Sequence, residues 1–172
     1  MVGYAVTGRM RARTKGAGSY SRHGWWDAIV ATPGPRVAVI QDLDDEPVGA
    51  FWGEVQSNIH RALGVVGTVT NGGVRDLREA DALGFHYFAG SVMVSHAYVH
   101  LDDWGTPVTI GGLEIRPGDL IHADMHGVQT IPLEIARELP AACERIIAKE
   151  RTIIGLCQST AFTLDALKKI VP

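Results

Sequence analysis

Apolar positions along the chain follow two periods, and the first half alternates between them. VGYAVT (residues 2–7) reads as a strand, and the polar, basic stretch 9–24, with Gly16, Gly18 and Gly24, reads as a loop. GWWDAIV (24–30) predicts a short helix that buries Trp25 or Trp26. RVAVIQD (36–42) is a continuous apolar run, as expected of a strand covered on both faces. A turn-rich connector, 43–53, follows. From Glu54 the pattern turns helical, with Val55, Ile59 and Leu63 at i, i+4 and i+8. GVVGTVT (64–70) is a second buried strand. Residues 36–70 thus read as strand, helix, strand: a βαβ unit with a parallel pair.

The second half is less regular. LREADALG (77–84) predicts a short helix closed by Gly84, and FHYFAG (85–90) a strand. Residues 91–106 fit neither period. Glycine turns at 111–112, Pro117-Gly118 and Gly127 divide 107–132 into short strands. Residues 133–156 read as helical, with Pro140 a break or a new first turn, and Ser159 or Thr160 as the cap of a last helix over 161–170. The expected fold class is α/β, as a single domain over 1–172 without repeat or linker.

Composition removes several function classes. A net charge of −3 leaves no electrostatic footprint for nucleic acid or an anionic membrane. No apolar run reaches bilayer length, and the N-terminus lacks a signal-peptide core. Cys143 and Cys157 are too few and too poorly spaced for a metal knuckle or a disulfide framework, so a reducing cytoplasm is the expected compartment.

The candidate chemistry sits at two strand ends. Gly53 precedes the helix that begins at Glu54, and unpaired first-turn amides there attract a carboxylate or phosphate. Taken alone, Gly53 reads as a turn former and Glu54 as a complement to the helix dipole. In TVTNGGVRD (68–76), Arg75 and Asp76 follow a strand of the same unit. Ligands gather at the carboxyl ends of parallel strands, which puts both positions on one rim. Adjacent strand residues face opposite ways, so Arg75 and Asp76 share a site only if the backbone curves, and Gly72-Gly73 is the expected place. A guanidinium binds a carboxylate through two parallel hydrogen bonds. A lone carboxylate can hold Mg²⁺ or Mn²⁺ with waters completing the shell. Such an ion would stabilise an enolate as a carbon–carbon bond breaks. An imine mechanism needs a lysine. Of Lys15, Lys149, Lys168 and Lys169, none falls in the βαβ rim segments and only Lys15 lies outside the C-terminal helices.

These residues carry a family resemblance. VGYAVT, WGEV, GVVGTVTNGGVRD, PGDLIHADMHGVQTIP and AKE together resemble the ribonuclease-activity-regulator-A-like (RraA-like) family, which includes class II 4-hydroxy-4-methyl-2-oxoglutarate and 4-carboxy-4-hydroxy-2-oxoadipate aldolases. The ordered pattern is Glu54, then Arg75-Asp76 after positions 55–74, then Glu79. The resemblance implies a compact swivelling-domain-like α/β/β/α core with C-terminal helices, a homotrimer or hexamer, and sites between subunits. It implies that Gly53, Glu54, Val55 and Gln56 cradle the substrate carboxylate. It further implies that Arg75 binds and positions the substrate and that Asp76 anchors Mg²⁺ or Mn²⁺. Glu54 would reach the ion through water, from a position where many aldolase members have aspartate. The implied function is a divalent-metal-dependent lyase, aldolase or oxaloacetate decarboxylase, acting on a small 2-oxo acid through a metal-bound pyruvate enolate. The alternative is a non-catalytic regulator that binds ribonuclease E. A methyltransferase using S-adenosylmethionine finds no support, because no G-x-G loop follows a strand. The chain begins at the GYAVT strand, where family members usually carry a preceding helical segment, and 85–104 differs from the aldolases. Glu150 and Asp165 are the candidates for an acid contributed by a neighbouring subunit.

Other polar residues read more plainly. His96 and His100, like His122 and His126, are four apart, but the second pair lies in a β segment where one ion cannot span them. His96 and His100 are expected to line a substrate pocket rather than hold zinc. Asp119 and Asp124 read as turn residues, the tryptophans as core or subunit contacts, and Glu79 equally as a supporting acid or a surface charge.

Overall fold

The computed structural model describes residues 1–16 and 22–171. Two compact units emerge, Met1–Pro132 and Leu133–Pro172. In the first, a mixed sheet has the strand order β10 (Gly127–Ile131), β9 (Leu120–Asp124), β1 (Val2–Arg11), β2 (Arg36–Asp42), β4 (Val65–Val74), β3 (Ala50–Trp52), with β5 (His86–Val92) also on β4 and β6 (His100–Trp104) also on β1. Its parallel centre is β1 (Val2–Arg11), β2 (Arg36–Asp42), β4 (Val65–Val74) and β5 (His86–Val92). Helix α1 (Arg22–Ala31) links β1 to β2, and α3 (Leu77–Leu83) links β4 to β5. Between β2 and β4 lie β3 (Ala50–Trp52) and α2 (Glu54–Ala62). The expected βαβ unit is therefore present, with β2 and β4 adjacent and parallel.

Alternation along the central strands explains the continuous apolar run of β2. Val37 and Val39 point to one face, where they pack with Ala5, Val69, Val108, Ile115 and Ile121. Ala38 and Ile40 point to the other, against Trp25, Ile29 and Trp52. One face is covered by helices. The other is covered by the hairpin of β7 (Val108–Ile110) and β8 (Leu113–Ile115), a second β layer. β9 (Leu120–Asp124) and β10 (Gly127–Ile131) close the far edge antiparallel to β1.

Four expectations are corrected. β1 runs to Arg11 because β6 (His100–Trp104) pairs with it antiparallel and neutralises its basic residues. The Arg9 guanidinium donates to Asp103, and the Arg11 Nε to Asp102 at 2.9 Å. The expected loop therefore begins only after Arg11, and its Gly18 lies outside the described residues. The connector 43–53 contains a strand, β3. β4 continues through Gly72-Gly73, with its pairing to β5 shifting register between Thr70 and Gly73. These glycines serve close packing: a Cβ on Gly72 would lie 3.1 Å from the Asp42 side chain, and one on Gly73 3.0 Å from the Gly49 carbonyl oxygen. Finally, α2 buries Ser57 and His60, whereas Val55 is 69% exposed. Those polar groups are tolerated because they are paired. The Trp25 Nε1–H donates to His60 Nε2 at 2.8 Å, and the Ser57 and Tyr87 hydroxyls meet at 2.6 Å.

Asn71 locks the ends of β2 and β4 together: its side chain accepts the Asp42 N–H at 2.7 Å and donates to the Asp42 carbonyl at 2.8 Å. Asp119 and Asp124 are turn residues as expected, each accepting a nearby backbone N–H at 2.8 Å. Trp25 and Trp52 are core residues, also as expected.

The second unit is α4 (Leu139–Gln158) and α5 (Leu164–Ile170). Pro140 sits in the first turn of α4, where its missing N–H costs nothing. α5 is capped by Thr163, whose hydroxyl accepts the Ala166 N–H at 3.0 Å, and not by Ser159 or Thr160. Ser159 instead donates its hydroxyl to Leu156 at the end of α4. Neither helix contains a buried residue, and Cys143 and Cys157 are free thiols on α4.

Candidate active site

The site begins with two strand ends held side by side. Trp52 at the end of β3 pairs with Val74 at the end of β4, and the Arg75 N–H donates to the Trp52 carbonyl at 3.0 Å. Gly53 then leads into α2, and Asp76 into α3. The curve anticipated at Gly72-Gly73 is made by Asp76 itself, at φ 54° and ψ 48°. Aspartate is one of the few residues that adopts this left-handed region readily.

That turn folds the Asp76 carboxylate back over the start of α2. Its Oδ2 accepts the Glu54 N–H at 2.8 Å. Gly53, the residue at the cap position, has no side chain for this task, so a carboxylate from the neighbouring strand end satisfies one orphan amide. The Arg75 Nε lies 3.8 Å from the same oxygen. A Cβ on Gly53 would come within 2.6 Å of Asp76 Oδ2 and 3.1 Å of Arg75 Nε. Gly53 is extended, at φ −161°, so glycine is needed here for close approach and not for backbone freedom. The structure thus brings Gly53, the Glu54 amide, Arg75 and Asp76 together. The Glu54 side chain is on the exposed side of α2, and Glu79 is exposed on α3.

A cleft of ≈ 870 Å³ opens beside this junction. Gly53, Val55, Gln56 and Arg75 line one part of it, and the segment 96–102 lines another. His96 and His100 are in that segment, as expected for a pocket wall. Among the described residues there is no group of three or more His, Cys, Asp or Glu that could hold a metal ion. Lys15 also lines the cleft, a placement that its position in a polar loop did not reveal. The 91–106 stretch carries further chemistry: His100 Nε2 lies 3.3 Å from Asp102 Oδ1, and the other oxygen of Asp102 accepts from Arg11. No periodicity marked this segment, because the β6 residues are all half-exposed and the strand mixes charged partners of β1, Asp102 and Asp103, with apolar Leu101 and Trp104 packed on the core.

The donor set at Asp76 fits a hard divalent cation. Such an ion keeps most of its waters and takes one or two carboxylates from protein. Oδ2 is occupied by the Glu54 amide, and Oδ1 has no hydrogen bond among the described residues.

Burial tunes the neighbours. Burial raises the Tyr87 phenol pKa, against a smaller lowering by its bond to Ser57. His60 is lowered to about 4 by burial, partly offset by its bond to the Gln56 carbonyl. It is a neutral structural histidine beneath the cleft, ringed by Trp25, Phe51 and Trp52.

Comparison with known proteins places the chain in a family. Residues 1–129 match the family described as RraA-like: Aldolase/RraA. A Halalkalibacterium halodurans protein, named as a proposed 4-hydroxy-4-methyl-2-oxoglutarate aldolase, is 33% identical over 103 residues, covering 59% of this chain and 48% of its own. The chain spans about half the length of the first curated relatives it matches. Among solved structures, an uncharacterized protein from Pseudomonas syringae pv. tomato superposes with a TM-score of 0.72 at 24% identity, covering 98% of this chain and 75% of the other. Streptomyces coelicolor RraAS2, described as an unusual member of the RNase ES inhibitor RraA protein family, gives 0.69 at 21% identity, over 89% and 77%. At these identities the structures establish the fold, and the sequence match over 1–129 establishes the kinship: the chain belongs to the RraA-like family.

Proposed function

We propose that the protein is a divalent-metal-dependent lyase that cleaves a small 2-oxo acid to pyruvate, by aldol cleavage or by decarboxylation of oxaloacetate. The observation that carries this reading is the junction itself. A carboxylate with one oxygen tied down and one open, a guanidinium beside it and the first turn of a helix meet at one junction, and the guanidinium and the helix turn also line the cleft. Asp76 would hold Mg²⁺ or Mn²⁺, with Glu54 reaching it through water. When bound, the ion supplies charge stabilisation for the enolate left as the carbon–carbon bond breaks.

The chain's own groups divide the remaining work. The Glu54 amide is engaged by Asp76, so the Val55 and Gln56 amides, with Gly53 giving close backbone access, are the donors left for the substrate carboxylate. Arg75 offers two parallel N–H groups to the same 2-oxo acid and orients it. The named aldolase relative supports the substrate class. Assembly as a homotrimer or hexamer, expected of the family, is supported by apolar side chains left exposed on α4, Ile146 and Ile147 among them. No helix among the described residues is long and apolar enough to cross a membrane, and we place the activity in the cytoplasm.

The test is pyruvate release from oxaloacetate and from 4-hydroxy-4-methyl-2-oxoglutarate, with Mg²⁺ or with EDTA. Release with either substrate that stops in EDTA is the expected result. No metal-dependent release with either, together with capture of a ribonuclease E-type enzyme, would favour the regulator reading.

A further inference from the structure

We propose that Lys15 makes this site selective for 2-oxo acids carrying a second carboxylate, which it binds at the far side of the cleft from the α2 terminus. This rests on the lyase reading for the placement of the first carboxylate, and its own observations are separate. The protein carries a net charge of −3, yet the cleft is lined by Lys15, Arg22 and Arg75 against a single carboxylate, Asp102. That carboxylate is already shared between Arg11 and His100. A cationic cleft on an acidic chain selects anions.

Lys15 differs from Arg9, Arg11 and Arg75 in how its charge is held. Arg9 and Arg11 are neutralised by Asp103 and Asp102, and Arg75 faces Asp76. The Lys15 ammonium has no carboxylate within 4.0 Å among the described residues, and it sits 5.4 Å from the centre of the Tyr98 ring. An aromatic face steadies a cation without cancelling its charge, leaving it available to a ligand. The backbone leading to Lys15 is fixed as well. The Asp44 carboxylate accepts the Ala12 and Arg13 amides at 2.8 and 2.9 Å, and the Tyr98 N–H donates to the Ala12 carbonyl at 3.0 Å. Gly16 lies flat on His100, where a Cβ would come within 2.7 Å of the ring. That ring cannot swing aside freely, since its Nδ1 contacts the Tyr98 carbonyl at 2.8 Å and its Nε2 contacts Asp102. Segments 12–16 and 96–102 therefore form one wall that presents an uncompensated ammonium to the cavity holding Arg75.

The experiment compares binding of 2-oxoglutarate and 2-oxopentanoate, equal in carbon count and differing in the second carboxylate, by calorimetry with Mg²⁺ present. The intact chain should prefer 2-oxoglutarate about ten- to a hundredfold, the range of one charge-assisted contact. Lys15→Met should remove that preference while leaving 2-oxopentanoate binding unchanged, and Lys15→Arg should retain most of it. Gly16→Ala, which displaces the loop and keeps the charge, should lower the preference with the melting temperature held. Absence of a preference in the intact chain, or a preference that survives Lys15→Met, overturns the proposal. Oxaloacetate turnover by the intact chain is measured in parallel: its absence alongside a Lys15-dependent preference would sink the lyase reading and leave the anion site standing.

Discussion

Asp76 uses its two carboxylate oxygens differently, and substitutions separate the roles. Asp76→Asn keeps an acceptor for the Glu54 N–H and a residue tolerant of the left-handed backbone, but removes the charge. It should fold with an unchanged melting temperature and lose metal-dependent pyruvate release. Asp76→Ala loses the cap and the tolerated conformation together, and should cost about 2 kcal/mol in urea denaturation besides abolishing turnover. A second residue-scale prediction concerns His60. Its pKa is about 4 in the fold against 6.5 as a free side chain, so the unfolded chain takes up the proton first as pH falls. Stability from this group is complete above pH 6.5 and declines by about 3 kcal/mol as the pH approaches 4. Asp42 works in the opposite sense, because burial raises its carboxyl and protonation on acidification relieves that penalty. Urea midpoints between pH 7 and pH 4.5 should fall, with His60 dominating over that interval.

At the level of elements, the site is made by two strand-to-helix junctions closing on each other, and Gly53 is where they touch. Gly53→Ala would push a methyl into Asp76 Oδ2 and Arg75 Nε. Turnover should drop about a hundredfold, the usual effect of ångström-scale misplacement of a binding group, with little change in secondary structure by circular dichroism. The β2, α2, α3 and β5 elements were legible because burial imposes a period on them. Other features were not. β3 is three residues long, too short to show alternation. β6 joins β1 through Arg9–Asp103 and Arg11–Asp102 as well as Leu101 and Trp104, and a strand that is half-exposed throughout shows no apolar alternation. The α2 pattern pointed to Val55, but packing against Trp25 and Tyr87 turned the buried face to His60 and Ser57. In the site itself, the order of Glu54, Arg75 and Asp76 was legible from the family pattern. The backbone link between Asp76 and the Glu54 amide was not, since it depends on one left-handed residue.

For the whole molecule, the contrast between an acidic chain and a cationic cleft has a kinetic consequence. Raising salt from about 0.05 M to about 0.5 M should raise KM for oxaloacetate severalfold with kcat little changed, because screening weakens capture more than chemistry. The C-terminal unit lies outside the family match, which stops at residue 129, and exposes Ile146 and Ile147 on α4. Replacing both with glutamate should shift the protein to a smaller species in light scattering if these side chains lie in a subunit contact, as proposed. The carboxylate that closes one helix start while leaving an oxygen open also ties cargo to architecture. Whatever grips the outer oxygen tightens the clasp between two chain segments 22 residues apart. Titrating Mg²⁺ into the protein should therefore raise its unfolding temperature, and heat alone would report loading without any substrate in the tube.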